Sequence, residues 1–260
     1  MTSWSALEDE LDHWQEAGKT ATFWWRDDDL NEPTAAFDML LNMRDQLDIP
    51  LTLAVIPDNV DPHIADQLSG CHLVQHGVTH TSHATDGEKK SEFPNSRNAS
   101  DALADLEAGK ARMETLFEEN FYAFLVPPWN RISDDLLPEI ADLGFVGISR
   151  FKARKKAVPV SGFAEVNTHI DPVDWRGSRS AHSDALILGM AVDHLYARRV
   201  GDVDAHEPTG FLSHHLMYDA HLWEITYKLL SYLNSHEAVR FLTLPGALSV
   251  IEELSPRDSN

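Results

Sequence analysis

The sequence predicts an α/β protein: a (β/α) barrel, complete or distorted, with seven or eight β/α units. Apolar runs of strand length alternate with segments of helical period along the whole chain. The strand-like runs are near-continuously apolar rather than alternating, as parallel strands covered by helices should be. The polar residues that stand out, Asp27–Asp29, His76, Pro127-Pro128-Trp129 and His214, all come at the C-terminal ends of such runs. In a parallel barrel those ends share one face, where active sites sit. No glycine-rich phosphate loop follows any strand, which disfavours a dinucleotide fold.

Taken in order, Trp4, Leu7, Leu11 and Trp14 give residues 3–17 a helical stripe. Residues 21–25 form the first strand. Asn31-Glu-Pro33 opens a helix running to about Leu47, with Asn31 as cap and Pro early. Strands follow at 51–57 and 71–75, separated by a short helix at 62–69. Residues 81–98 form a polar loop, long enough to be functional. A helix over about 99–119 leads to a strand at 121–126. Ser133 caps a helix to Leu143, and 145–149 is a strand. The basic run Arg150–Lys156 is expected as a solvated loop, or as a contact for an acidic substrate group or a subunit neighbour. A short extended piece at 164–169, a helix near 182–199, a strand at 210–214, a helix at 220–235, a strand at 239–243 and a short helix complete the chain.

The 260 residues suit one domain spanning 1–260, with residues 1–19 forming a helix packed on the barrel. A net charge of −21 argues against nucleic acid and against anionic membranes as partners. Cys71 is the single cysteine, so no intramolecular disulfide forms. The N-terminal residues lack the pattern of a secretory signal, and no apolar stretch reaches membrane-span length, so the cytoplasm is the expected location.

The acidic triplet Asp27-Asp28-Asp29 ends the run Ala21–Trp25. Adjacent carboxylates repel, and burying them is costly without a cation. The bland reading is a solvated acidic loop. The Phe23-Trp24-Trp25 run before the triplet, and the imidazoles of His76 and His80 after another apolar strand, weigh against it. Two His and one Asp form a common ligand set for Zn²⁺ or a related transition metal (Co²⁺, Ni²⁺, Fe²⁺) with open positions for water. Arg26 beside the triplet would neutralise part of the charge.

Together these segments resemble the polysaccharide deacetylase family, the NodB-homology carbohydrate esterases, over roughly residues 20 to 245. The family's first motif is an aromatic strand ending in paired Asp, and Trp25-Arg26-Asp27-Asp28-Asp29 stands in its place. The resemblance implies Asp27 as general base and Asp28 as metal ligand, with Asp29 where Gly is usual. His76 and His80 would complete the metal site. In the third motif Pro128 and Trp129 match, followed by Asn130, while the expected Arg is missing; Arg26 or Arg131 would substitute for it. Asp174-Trp175 matches the fourth motif, with Asp171 a second candidate, and Leu212-Ser213-His214 the fifth, with His215 as a register alternative.

What the resemblance implies is a distorted barrel and metal-dependent hydrolysis of an N-acetyl group on an amino sugar or glycan. Asp27 would take a proton from water, His214 would protonate the leaving amine, Asp174 would orient His214, and Trp129 and Trp175 would wall the sugar groove. Two other functions compete: a cytoplasmic metal-dependent amidohydrolase on a small linear or cyclic amide, and a carbohydrate-binding relative without turnover.

Overall fold

The computed structural model describes residues 3–68 and 70–254. The elements run α1 (Trp4–Glu16), β1 (Ala21–Leu30), α2 (Ala35–Leu47), β2 (Leu51–Val55), a 3-10 segment (Pro62–Gln67), β3 (Cys71–His76), α3 (Ala99–Phe117), β4 (Phe121–Val126), α4 (Leu137–Asp142), β5 (Gly147–Ile148), β6 (Ala164–Glu165), α5 (Asp184–Val200), β7 (Thr209–Ser213), α6 (Ala220–Ser235), β8 (Val239–Phe241) and α7 (Leu244–Leu254).

The sheet is parallel, in the order β6-β5-β4-β3-β2-β1-β7, and β8 pairs with the first residues of β1. After β6 the chain makes single bridges from Thr168 to Phe151 and from Ile170 to Phe211, so β6 and β7 are joined only by isolated contacts. This is a distorted (β/α) barrel, regular from β4 to β7 and loosely closed on its far side.

Strand alternation sets the two faces of β1. Phe23 and Trp25 pack outward with the helices, in a cluster that includes Leu7, Leu11 and Trp14 of α1, Phe37 of α2 and Leu229 of α6. Trp24 packs on the opposite face with Ala54, Val74, Phe124 and Val126 from the neighbouring strands. Its indole Nε1 donates to the Asn167 carbonyl at 2.8 Å, so the one polar atom of that buried ring is satisfied.

Some elements differ from the sequence expectation. β1 does not stop at Trp25 but runs through the acidic triplet to Leu30. α2 is capped by Thr34, whose hydroxyl accepts from the Phe37 amide, rather than by Asn31. The expected strands at 145–149 and 164–169 shrink to two residues each, because their ends pair through isolated bridges. Arg150 and Arg154 are not solvated: Arg150 pairs with Asp134 and Glu165, and Arg154 with Asp204. No described helix is long and apolar enough to cross a membrane.

Candidate metal centre and active site

Three ligand-bearing side chains converge at the C-terminal end of the sheet. Asp29 Oδ1 lies 3.0 Å from His76 Nε2 and 3.3 Å from His80 Nε2. The β1–β2 register shifts between Asp27 and Leu30, and Asp29 has φ +73°, so the strand bulges where it presents this carboxylate. His76 ends β3. Its Nδ1 donates to the Val126 carbonyl at the end of β4, 3.0 Å away, so Nε2 is the nitrogen that faces Asp29 and that would bind a metal once it gives up its proton. Burial alone would raise the Asp29 pKa, but the hydrogen bond and charge of His76, with His214 and His80, hold it well below the usual carboxylate range.

A tight turn brings His80 back onto His76. Gly77 has φ +56°, and a Cβ there would sit 2.0 Å from Glu92 Oε2 and 2.5 Å from Pro128 Cγ. The buried Glu92 carboxylate accepts from the Val78 and Thr79 amides and from the Thr79 hydroxyl, which fixes the turn. Sequence reasoning missed Glu92. Its only signal was its place in the long polar loop, next to the apolar Phe93.

Two imidazole nitrogens and one carboxylate oxygen, all within 4.8 Å of one another, fit a transition metal with open positions. The carbonyl that holds His76 in the ligating tautomer supports that fit.

Asp28 does not join this group, contrary to its expected role as the ligand. It lies on the same face of β1 as Trp24 and Arg26, and Arg26 holds it. Arg26 Nε is 2.8 Å from Asp28 Oδ1, and Nη2 is 2.9 Å from Oδ2. The same guanidinium donates to Asn130 Oδ1 at 2.8 Å and to Ser149 Oγ at 2.5 Å. Of the two candidates for the role of the arginine missing after β4, Arg26 is the one that contacts Asp28. Arg131 does not: its guanidinium donates to the Lys90 carbonyl. His214 Nε2 lies 4.0 Å from Asp28 Oδ2.

Asp27, the expected base, sits on the other face of the strand. Its fully buried carboxylate accepts from Ser213 Oγ at 2.6 Å, from the His215 amide at 3.1 Å and from His215 Nδ1 at 2.5 Å. His215 is therefore Asp27's partner and packs near Phe37, while His214 faces the site.

Asp174, expected to orient His214, caps a turn instead: it accepts from the Gly177 and Ser178 amides. Asp171 takes the position near His214. Burial raises its pKa, opposed chiefly by the charge of His214. Its carboxylate accepts from the Val173 amide at 3.0 Å and from Trp175 Nε1 at 2.8 Å. Trp175 meets the His214 ring edge-on at 4.7 Å, and Trp129 lies 4.6 Å from the His80 ring. Both tryptophans border the site. Pro128 is buried beneath Gly77, and Asn130 serves Arg26.

A second group, His169, His194 and Glu207, lies buried near the start of β7. It is a poor cation site. The Gly210 amide donates to His169 Nδ1 at 2.9 Å, so the proton sits on Nε2 and no lone pair faces the group. The two rings stack at 3.4 Å and 16° rather than converging on a point, and the charges of Arg154 and Arg198 bear on His169.

No family model matches the chain, and no curated protein sequence matches it. Solved structures do. A Mycobacterium smegmatis protein provisionally assigned as a polysaccharide deacetylase is 13% identical with a TM-score of 0.66, over 94% of each chain. The PuuE allantoinase is 12% identical with a TM-score of 0.65, over 92% of this chain and 93% of its own. A family 4 acetyl xylan esterase from Clostridium thermocellum, in complex with a cobalt ion, is 15% identical with a TM-score of 0.54, over 88% and 91%. At these identities the likeness is one of fold, and the fold is that of the polysaccharide deacetylases.

Proposed function

We propose that the chain is a metal-dependent hydrolase that removes an N-acetyl or related acyl group from an amino sugar or glycan. One observation carries this reading: the Asp29–His76–His80 group stands beside a carboxylate, Asp28, gripped by a buried arginine and faced by His214. The deacetylases and esterases that share the fold agree with it.

Asp29, His76 and His80 would hold one divalent ion, with Zn²⁺ the first choice and Co²⁺, Ni²⁺ or Fe²⁺ alternatives. When bound, such an ion polarises a carbonyl and acidifies water. Asp28 takes the proton of the attacking water, and its pairing with Arg26 aims it. His214 gives a proton to the leaving nitrogen. Asp171 stabilises the charged imidazole, and Trp175 limits the ring's movement. Trp129 and Trp175 provide apolar faces for a sugar ring.

The test is elemental analysis of the wild type against His76→Ala/His80→Ala, followed by acetate detection on N-acetylglucosamine oligomers. One equivalent of transition metal, lost in the double variant, with acetate released by the wild type, is the expected result. Absence of metal after loading with Zn²⁺, Co²⁺ or Ni²⁺ would reject the reading.

A second reading is hydrolysis of a small cyclic amide. It is favoured by the allantoinase, whose TM-score of 0.65 nearly equals the 0.66 of the deacetylase-like protein and exceeds the 0.54 of the esterase. The same residues would serve, and a ring-opened acid in place of acetate would identify it.

A further inference from the structure

Asp27 lies one residue from Asp28 yet faces away from the reacting groups, and the proposed chemistry gives it no task. Its surroundings on that face of β1 are apolar, Phe23 and Trp25 among them. A carboxylate there is expensive unless fully bonded. It is fully bonded, and its partners flank a single residue. Ser213 Oγ and the His215 amide both donate to Oδ2, while His215 Nδ1 donates to Oδ1. Trp25 Nε1 completes the set by donating to Ser213 Oγ at 2.8 Å. The residue between Ser213 and His215 is His214.

His214 needs such support. Its buried Nδ1 has no hydrogen-bond partner among the described residues, so no bond to the ring itself fixes where Nε2 points. Ring position is left to the edge contact with Trp175 and to the backbone that carries the side chain.

We infer that Asp27 is a positioning residue: its buried carboxylate clamps Ser213 and His215 to β1 and so fixes His214 against Asp28. A single strand then carries the base on one face and the anchor of the acid on the other. The inference rests on the reading of Asp28 as base and His214 as acid.

The clamp acts on proton delivery to the leaving group. An aryl acetate expels a phenolate that needs no proton, whereas an amide nitrogen must take up a proton before it leaves as the amine. Two substrates therefore separate a positioning role from a general structural one: 4-methylumbelliferyl acetate and tetra-N-acetylchitotetraose, each with the metal-loaded full chain. Asp27→Leu removes the clamp. Asp27→Asn keeps it, because the amide oxygen still accepts from Ser213 and the His215 backbone while the NH₂ donates to Nδ1 of His215 in its Nε2–H tautomer.

Asp27→Leu is expected to lower kcat on the amide about 100-fold, the scale of a lost acid, with KM, metal content and the ester rate changed by no more than about threefold. Asp27→Asn should restore amide turnover to within a few-fold of wild type. Equal losses on both substrates, or none on either, would overturn the inference.

A crystal structure of the same variant gives a readout independent of turnover. His214 should leave its place 4.0 Å from Asp28, and an unmoved ring would equally reject the clamp. Should Asp27→Leu not fold, Ser213→Ala carries both measurements with a smaller expected effect. A wild type that cleaves neither substrate would count against the proposed function, leaving the crystal structure to decide the clamp.

Discussion

Arg26 and Asp28, two residues apart on one strand, form an ion pair in which Nη2 donates to Oδ2 at 2.9 Å and Nε lies 2.8 Å from Oδ1. Both are buried, and the guanidinium also donates from Nη1 to Ser149 and from Nη2 to Asn130. Breaking a buried pair from one side leaves an uncompensated charge, at about 3–5 kcal/mol. Arg26→Met should therefore lower stability by that order and abolish turnover. Arg26→Lys keeps the charge but loses the fork; urea unfolding should show it intermediate, and its kcat should fall at least about tenfold. Wild-type kcat in Arg26→Lys would show that the fork plays no part in turnover.

The neighbouring carboxylates divide the work, so they should fail differently. Asp29→Asn is expected to lose bound metal in elemental analysis. Asp28→Asn should retain it while kcat falls about 10²–10⁴-fold, as for loss of a general base. Retention by Asp29→Asn and loss by Asp28→Asn would restore the register that the family resemblance implies.

How far this arrangement was legible in the sequence depends on the residue. The alternation of apolar runs with helical segments carried the barrel, His76 and His80 stood out by their spacing, and Trp129 and Trp175 entered through the family resemblance. The resemblance puts base and ligand at Asp27 and Asp28, whereas the structure brings Asp29 to the histidines and Asp28 to Arg26. The signal was nonetheless present: in a strand, Trp24, Arg26 and Asp28 share a face, and Trp25 and Asp27 share the other. What could not be read was the bulge that turns Asp29 toward the histidines, because a backbone irregularity has no periodic signature. The choice between Asp174 and Asp171, both candidates in the sequence, has a similar origin. An Asp in a turn and an Asp beside an imidazole look alike until the Gly177 and Ser178 amides are seen to claim the first.

Gly77 and Glu92 set the turn between the two histidines, and neither touches the reacting groups. With φ +56° and a Cβ position overlapping Glu92 and Pro128, Gly77→Ala must displace the turn. Metal affinity should fall about 10–100-fold, the usual scale for disturbing the groups behind the ligands. Competition with a chelator measures this directly. Glu92→Gln, which gives up one acceptor for a donor beside the Val78 and Thr79 amides, should weaken binding in the same direction. Unchanged affinity in both would show that the turn is held by other contacts.

Near the start of β7, His169, His194 and Glu207 make stability depend on pH in opposing senses. Burial, with the charge of His169, pushes His194 down to about 2, and burial with the charges of Arg198 and Arg154 holds His169 well below 6.5. Below pH 6.5 the unfolded chain takes up these two protons while the folded chain does not, so acidification removes stability, by up to about 1.4 kcal/mol per pH unit for each group. Glu207 works the other way. Burial pushes it up to about 7 from 4.5, so between those values the folded state holds a proton that the unfolded state has released, and acidification adds stability. Two losses against one gain leave a net decline from pH 6.5 to 4.5, steeper below 4.5 where Glu207 no longer offsets it. Urea unfolding across pH 4–7.5 should give His194→Gln a shallower acid slope than wild type, and Glu207→Gln a steeper one between pH 4.5 and 6.5. Parallel slopes for all three proteins would mean that these buried groups keep their ordinary pKa values in the fold.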